Sequence, residues 1–346
     1  MSREIFRCGS INHYIMQKKL RWGILGCGNI AKKFASDLHY VEGAELLAAG
    51  SRNQATADEF SASFSIPHSH GSYEALANDD EVDVIYIASP HGLHHAHALL
   101  CLKNKKAVLC EKAFALNSRQ AEEMIAAAKQ QEVFLMEALW TKFTPQYNIV
   151  QQMIRQGDLG VLQSVLVNFG FIPVPPFSSR LYEPGLGGGS LLDIGIYNVF
   201  MVLSVLGRPD IIEACMTPAS TGVDEQCAAT LRYNNGAIAQ LFSTYSSNLA
   251  TEADICGNKG RIRLTPRFYN PTTAVIEFYP DRIDSKQIIP HYSEPGFGYQ
   301  YQARHVCDCL RQRLTESPVM SHADTLLIME TLDRIREAAG IVYDVD

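Results

Sequence analysis

The chain has 346 residues, of which 47% are hydrophobic and 19% are charged, a balance typical of a globular protein with a large core. Its length predicts about two domains. A formal net charge of −7 at pH 7 leaves no basic footprint for nucleic acid, so we expect no nucleic-acid partner. No apolar run reaches the roughly 18 residues that a membrane span needs, so we expect no membrane partner.

Residues 1–19 are polar and irregular and lack the apolar stretch of a secretory signal. We interpret them as an N-terminal extension, with a true start at Met16 as the alternative. The nine cysteines are scattered through apolar segments, and a chain of this length needs no disulfide staples. Reduced thiols and a cytoplasmic location are therefore expected.

Short apolar runs alternate with helical patterns through the first part of the chain. Strands are predicted at residues 22–25, 45–49, 82–88, 107–110 and 133–137. Helices are predicted at residues 30–41, 55–64, 73–77, 93–103 and 118–131, the third with Ser72 and the last with Asn117 as N-cap. The alternation predicts parallel βαβ units, so we expect an α/β fold with a Rossmann-type, doubly wound sheet over residues 20–138.

The pattern changes after Trp140. Predicted elements are a helix at 145–156, a long strand at 162–171, a Pro- and Gly-rich loop at 173–189 and an apolar helix at 190–206. Runs typical of antiparallel strands follow at 211–217, 226–233, 237–246, 253–256 and 261–264, with a hairpin signal at Asn235-Gly236. Helices at 299–313 and 323–339 close the chain. Residues 139–346 are expected to form an α+β domain whose last helix packs back on the first domain.

A glycine-rich turn follows the first predicted strand. The segment 26–31, Gly-Cys-Gly-Asn-Ile-Ala, matches the G-x-G-x-x-(G/A) pattern of dinucleotide-binding folds. Gly26 allows the tight turn, Gly28 lets the backbone approach a pyrophosphate, and the next helix presents its N-terminus to the anion. We therefore expect Gly26, Gly28, Asn29 and Ile30 to bind a dinucleotide, the alternative being a glycine turn without a ligand.

Cofactor preference is predicted from the end of the second strand. An NAD site usually places an acidic residue there for the ribose hydroxyl groups. This chain has Ser51 and Arg52 instead, which suit a 2′-phosphate because one donates a hydrogen bond and the other an opposite charge. The sequence thus favours NADP over NAD, with a solvated surface arginine as the alternative interpretation.

Lys112, Asp193 and Tyr197 are the predicted catalytic residues, and Glu111 and Lys112 are also expected to bind the cofactor. Glu111 and Lys112 follow the fourth predicted strand, and open parallel sheets bind ligands at the carboxyl ends of their strands. Asp193 and Tyr197 are four residues apart, on one face of an apolar helix that begins after three glycines. We expect a nearby cation to lower the pKa of Tyr197 so that it serves as acid and base. The alternatives are a surface Glu-Lys pair and a helix cap beside a core tyrosine.

The histidines at 91, 94, 95 and 97 have no carboxylate or cysteine at ligand spacing, so no metal site is predicted among them. We expect a helix that lines the cofactor cleft, with His91 and His94 near the nicotinamide, and Ser89 is also expected to bind the cofactor. Cys307 and Cys309 fall on a helical pattern and are interpreted as packing residues.

These motifs together resemble the Gfo/Idh/MocA oxidoreductases, from about Lys19 to the C-terminus. The markers are the 26–31 turn, Glu111-Lys112 and the glycine-rich helix that contains Asp193. Segments 107–112, 134–141 and 192–197 look most like the dimeric dihydrodiol dehydrogenases, which also oxidise aldose sugars such as D-xylose.

The resemblance implies that Tyr197 is the acid/base, that Lys112 supports it and that Asp193 positions the site, while Trp140 and Phe169 wall the substrate pocket. It also implies an open, largely antiparallel C-terminal sheet over which the chain forms a homodimer. The expected function is NAD(P)-dependent hydride transfer at a CH–OH group of an aldose or cyclic trans-diol. The alternatives are another polyol or keto-sugar substrate, or a non-catalytic regulator that binds dinucleotide.

Two positions depart from the family pattern. The family usually has Pro after Glu-Lys, and this chain has Ala113, which changes the backbone beside Lys112. The dihydrodiol branch tends to carry a second Arg four residues beyond Arg52, where this chain has Thr56, and this predicts a weaker clamp on a 2′-phosphate.

Overall fold

The computed structural model describes residues 19–174, 179–278, 286–290 and 294–346. The predicted extension lies outside these residues apart from Lys19, as does part of the predicted loop at 173–189. The strands form one sheet of six and one of eight, which confirms the expected α/β fold with a second, α+β part.

The six-stranded sheet is parallel throughout. Its strands are β1 (Leu20–Leu25), β2 (Ala44–Gly50), β3 (His68–His70), β4 (Val84–Ile87), β5 (Ala107–Glu111) and β6 (Leu135–Ala138), in the order β3-β2-β1-β4-β5-β6. The order reverses between β1 and β4, and a doubly wound sheet binds its ligand at such a point. The five predicted strands are confirmed, while β3 was missed because its three residues are polar and too few to show a period.

Helices cover both faces of this sheet. They are α1 (Asn29–Leu38), α2 (Gln54–Phe64), α3 (Tyr73–Ala77), α4 (His94–Lys103) and α5 (Ser118–Gln131). The predicted caps are confirmed, since the side chain of Ser72 accepts a hydrogen bond from the Ala75 amide and that of Asn117 from the Gln120 amide. In the core, the ring of Phe34 stacks on Tyr86 with centroids 3.8 Å apart.

The eight-stranded sheet is mixed and largely antiparallel. Its strands are β7 (Leu162–Gly170), β8 (Ile211–Pro218), β9 (Asp224–Arg232), β10 (Ile238–Thr244), β11 (Ala253–Gly257), β12 (Gly260–Leu264), β13 (Ala274–Phe278) and β14 (Lys286–Ile289). The order is β14-β13-β12-β11-β7-β10-β9-β8, and within the described part of this sheet only the β7–β10 pair is parallel. The predicted hairpin at Asn235-Gly236 joins β9 to β10. The sequence analysis missed β13 and β14.

The remaining helices are α6 (Pro145–Gln156), α7 (Ser179–Tyr182), α8 (Ile196–Leu206), α9 (Tyr299–Arg311) and α10 (His322–Ala339), with a π-helical turn at Leu191–Gly195 before α8. The predicted helix at 190–206 is therefore two elements. Helix α8 packs on β7 and β10, α9 packs on α1, and α10 packs on α5, β8 and α8. Helix α10 thus contacts elements from both parts of the chain.

The prediction about membrane spans needs correction. By length and composition, the stretch Pro184–Leu206 is apolar enough to cross a membrane. However, 83% of its apolar window is buried inside the fold, as in the core helix of a globular protein. Its apolar character is explained by packing against the eight-stranded sheet.

Candidate active site

A cleft of about 640 Å³ opens at the carboxyl ends of β1, β4 and β5, where they face the segment that contains Arg180 and Asp193. Most predicted cofactor residues line it: Gly26, Gly28, Asn29, Ile30, Ser51, Arg52, Ser89, His91, Glu111 and Lys112. Cys27, Lys33, Tyr73, Ala88, Pro90, Arg180 and Leu181 line it as well and were not predicted.

The glycine turn has the geometry of a phosphate cradle. Gly26 has φ of +98°, which side-chain residues rarely adopt, and a Cβ there would lie 3.2 Å from the backbone of Ala88 and Ser89, so a side chain is disfavoured for both reasons. A Cβ at Gly28 would meet no atom within 4 Å, because this residue faces the open cleft. Gly28 caps α1 without a side-chain hydrogen bond, and the first turn has no acidic residue. The first amide groups of α1 are thus available to an anion.

The end of β2 forms the second part of the cleft. The Ser51 side chain is nearly buried, whereas that of Arg52 is exposed beside Tyr73. The Ser51 amide donates to the His70 carbonyl over 3.0 Å, which fixes the turn against β3. Among the residues that line the cleft, the acidic ones are Glu111 and Asp193, and neither follows β2. This end therefore offers a hydroxyl group and a cation to a ligand, as the sequence predicts.

Asp193 is the centre of a buried ionic network. Its Oδ1 lies 3.3 Å from Lys112 Nζ and 3.2 Å from Arg180 Nη1, and its Oδ2 accepts from the Tyr245 hydroxyl over 3.0 Å. Lys112 Nζ also donates to the Asp193 carbonyl oxygen over 2.5 Å. Burial alone would raise the pKa of Asp193, but Lys112 and Arg180 outweigh it and hold that pKa well below its usual range. Asp193 is thus a carboxylate that fixes two cations.

Glu111 differs from Asp193 although both are buried. Burial raises the pKa of Glu111 to about 7, and the hydroxyl of Tyr86 donates to its Oε1. Ala113, which stands where the family usually has Pro, follows Lys112 through a cis peptide bond.

Tyr197 lies in an aromatic cluster next to this network. Trp140 Nε1 donates to its hydroxyl oxygen over 2.9 Å, and Lys112 Nζ is 5.1 Å from its ring centroid. Burial raises the pKa of Tyr197 well above its ordinary value, so the predicted lowering is wrong for the chain alone. The physical reason is that Lys112 donates to Asp193 and faces the ring of Tyr197, where it does not offset the loss of water.

The predicted pocket residues Trp140 and Phe169 both belong to this cluster, and like Tyr197 they are buried and do not line the cleft. The ring of Phe169 stacks on Tyr269 at 4.6 Å and lies 6.0 Å from that of Tyr197, while Trp140 stacks on Tyr299 at 4.5 Å. Tyr269 and Tyr299 were not predicted, because they come from a loop and a helix start far along the chain. No local pattern marked them.

The four histidines of the cluster at 91–97 point to different partners. His91 lines the cleft, with Nε2 3.8 Å from Asp193 Oδ1. His95 pairs with Glu123 on the surface, and His97 Nδ1 lies 2.8 Å from the hydroxyl of Ser89. The prediction that His94 lies near the nicotinamide is wrong, since His94 is fully buried and does not line the cleft.

His94 instead bridges two loops. Its ring nitrogens lie 2.7 Å from the Ser89 carbonyl and 2.8 Å from the Ala113 carbonyl. Burial lowers the pKa of His94 to about 4, and a neutral ring donates to only one of these oxygens. His94 is therefore placed to position the loops that follow β4 and β5 rather than to contact a cofactor.

Comparisons with known proteins agree with this geometry. A family model described as "Oxidoreductase family, NAD-binding Rossmann fold" (GFO_IDH_MocA) matches residues 20–139, and a GFO/IDH/MocA C-terminal domain matches residues 147–263. Trans-1,2-dihydrobenzene-1,2-diol dehydrogenase from Xenopus tropicalis is 36% identical over 93% of this chain and 99% of the relative. The protein of that name from Homo sapiens is 34% identical over 94% and 99%.

Solved structures are similar over the same extent. A 3-ketoreductase from Actinomadura kijaniata, in complex with NADP and TDP-benzene, aligns with a TM-score of 0.82 at 26% identity over 93% of this chain and 98% of that chain. An aldose-aldose oxidoreductase from Caulobacter crescentus, complexed with glycerol, aligns with a TM-score of 0.84 at 24% identity over 93% and 98%, and so shares the fold.

Proposed function

The chain belongs to the Gfo/Idh/MocA oxidoreductase family, and we propose that, as an NAD(P)-dependent oxidoreductase, it acts on a CH–OH group of a cyclic trans-diol or an aldose. The observation that carries this proposal is the position of the Tyr197 hydroxyl. Its oxygen accepts from Trp140, and the Tyr197 ring lies 5.1 Å from Nζ of Lys112, which lines the cleft together with Asp193.

The preferred cofactor is NADP. Arg52 pairs with a 2′-phosphate, and the hydroxyl of Ser51 donates to it. Lys33 also lines the cleft and adds a positive charge on α1. This charge compensates for Thr56, which stands where the dihydrodiol branch tends to carry a second Arg. The acidic residue that would favour NAD is not found among the residues lining the cleft after β2.

When bound, the oxidised nicotinamide supplies the hydride acceptor and a positive ring. Tyr197 takes the proton of the substrate hydroxyl and returns it in the reductive direction. Its raised pKa suits the proton-donating step, while the hydrogen bond from Trp140 favours the phenolate needed for oxidation. Asp193 and Arg180 hold Lys112 in place.

The substrate class is inferred from two kinds of support. Relatives at about a third identity bear the name trans-1,2-dihydrobenzene-1,2-diol dehydrogenase. The aromatic rings of Trp140, Phe169 and Tyr269 form an apolar wall around Tyr197, which suits one face of a sugar or cyclohexadiene ring.

The proposal is tested by following NADPH formation over a panel of aldoses and cyclic trans-diols with the parent chain and Tyr197→Phe. We expect turnover with at least one panel member and a loss of at least about 100-fold in kcat in the variant, with unchanged NADP affinity. Tyr233→Phe is the matched control, because Tyr233 is also buried but its hydroxyl donates to the Gly207 carbonyl, outside the cleft.

Three outcomes contradict parts of the proposal. Retained turnover in Tyr197→Phe removes this residue from proton transfer. Tight cofactor binding without turnover on any panel member favours the non-catalytic regulator, and turnover restricted to keto-sugars in the reductive direction favours the other alternative.

A homodimer and a cytoplasmic location belong to the same proposal. The outer face of the eight-stranded sheet is open, and Leu166, Ile211 and Ile238 are each about 45% exposed on its strands. The eight cysteines among the described residues are free, as expected of a reducing compartment. Light scattering on the purified chain tests the assembly, and a monomeric mass at micromolar concentration contradicts it.

A further inference from the structure

Two histidines on edge strand β3 converge on one carboxylate outside the cleft. His68 and His70 are two residues apart on a strand, so their side chains share a face. Asp79, from the turn after α3, places Oδ2 2.7 Å from His68 Nδ1 and 3.0 Å from His70 Nε2. The three donor atoms lie within 4.8 Å of one another.

These donors suit a particular class of ion. Two imidazole nitrogens and a carboxylate oxygen are the ligand set that Zn²⁺ takes at sites with three protein ligands and one open position. At Zn–N and Zn–O lengths of about 2.0–2.2 Å, tetrahedral ligands lie roughly 3.3 Å apart. Small outward shifts of His68 and His70 from the carboxylate would reach that spacing.

The surrounding residues support the three donors. The Nε2 of His68 lies 3.5 Å from Glu81 Oε2, an arrangement in which a second carboxylate orients a ligating ring. Asp79 Oδ1 accepts from the Glu81 amide over 3.0 Å, and Lys106 Nζ donates to the Asp79 carbonyl over 2.6 Å. The turn is therefore fixed before any ion arrives.

The cluster is also open to solvent on one side. The side chains of His68 and His70 are 31% and 22% exposed, whereas that of Asp79 is 8% exposed. An ion has a path to the donors, and a water molecule has room to complete its coordination.

We propose that His68, His70 and Asp79 form a binding site for a divalent transition-metal ion of the zinc class. The ion ties the three-residue strand β3 to the turn before β4. Because the His70 carbonyl accepts the Ser51 amide, the same strand supports the turn that holds the cofactor ribose. The site is structural and separate from the proposed hydride transfer, so it stands or falls independently of that reaction.

The test is a Zn²⁺ titration of the full chain after chelator treatment, by calorimetry and by thermal melting. We expect one Zn²⁺ per chain at this site and a raised melting temperature. The double variant His68→Gln/His70→Gln should bind at this site more than about 100-fold more weakly and lose the thermal gain. His95→Gln is the matched control, because His95 also pairs with a carboxylate, Glu123 at 2.7 Å, but is in no group of three ligand donors among the residues that the structure describes.

Zinc affinity that is equal in the parent and the folded double variant overturns the proposal, as does the absence of binding in the parent. In either case the three residues form only a hydrogen-bonded cluster. X-ray absorption at the zinc edge of the loaded parent chain provides a second measurement that needs no variant. Imidazole scattering supports the site, whereas a sulfur shell at about 2.3 Å assigns the ion to cysteines and overturns it.

Discussion

Replacing Trp140 by Phe tests how the aromatic cluster acts on Tyr197. Trp140 Nε1 donates to the Tyr197 hydroxyl oxygen over 2.9 Å, and Trp140 stacks on Tyr299 at 4.5 Å. The variant removes the donor but keeps an aromatic ring in the stack. The change is therefore directed at the hydrogen bond rather than at the apolar wall.

The size of the effect follows from the charge of the acceptor. A hydrogen bond to a neutral group contributes about 1 kcal/mol, and one to a charged group about 1.5–3 kcal/mol. The bond therefore favours the Tyr197 phenolate over the phenol by about 1 kcal/mol or slightly more, and one pKa unit corresponds to about 1.4 kcal/mol. Trp140→Phe should raise the pKa of Tyr197 by about one unit and lower oxidative kcat about tenfold below that pKa.

The assay is the initial rate of NADPH formation across the neutral and alkaline range. We expect the pH at which kcat levels off to move upward in the variant, because less phenolate is present at each lower pH. Trp22→Phe is the control, since Trp22 is the other tryptophan of the chain and is also buried, in contact with Phe34. It should lower thermal stability and leave the pH profile unchanged. A lower kcat in Trp140→Phe with an unmoved profile would refute the reasoning.

Three further predictions follow from individual contacts. Arg52→Ala should raise KM for NADP about tenfold and leave KM for NAD almost unchanged, because only the 2′-phosphate loses a partner; equal effects on both cofactors contradict this assignment. Burial raises the pKa of Glu137 to about 8, from a value near 4.5 in the unfolded chain. Between pH 4.5 and 8 the folded state therefore keeps a proton on Glu137 that the unfolded state loses, and the stability of the fold decreases as pH rises through this range. Glu137→Gln should flatten this decline in melting temperature, and an unchanged decline would remove Glu137 as its source. Asp37 accepts hydrogen bonds from the amide groups of Phe297 and Tyr299 at 2.7–3.0 Å, whereas the Gly298 amide also donates to Gln300 Oε1. Asp37→Ala removes the acceptor of the first two and should cost about 3 kcal/mol in urea unfolding; a loss below about 1 kcal/mol contradicts this.

The local features of the chain could be predicted from the sequence without the tertiary structure. The turn around Gly26 follows from a backbone that tolerates positive φ, and the caps at Ser72 and Asn117 follow from side chains that accept from the next turn. The alternation of strands and helices over residues 20–138 led to a doubly wound sheet, because this periodicity leaves few other packings. These features depend on neighbours within a few positions.

The assembled site depended on contacts between distant segments. Lys112 and Asp193 are 81 residues apart, and only the fold adds Arg180 and Tyr245 to them. The pKa direction at Tyr197 was mispredicted for this reason, since burial depends on every ring packed around it. His94 was misplaced because a sequence pattern does not show which side of a helix faces a cleft.

Strand β3 at the sheet edge was likewise not predicted from the sequence. The grouping of His68, His70 and Asp79 depends on it and is seen only in the tertiary structure. A three-residue strand has no period of its own and is defined by hydrogen bonds to its partner. The sequence thus determines the turns, caps and element types, whose energies are local. The tertiary structure determines which charges meet and how far water is excluded from them, because electrostatic energies depend on distances that local periodicity does not contain.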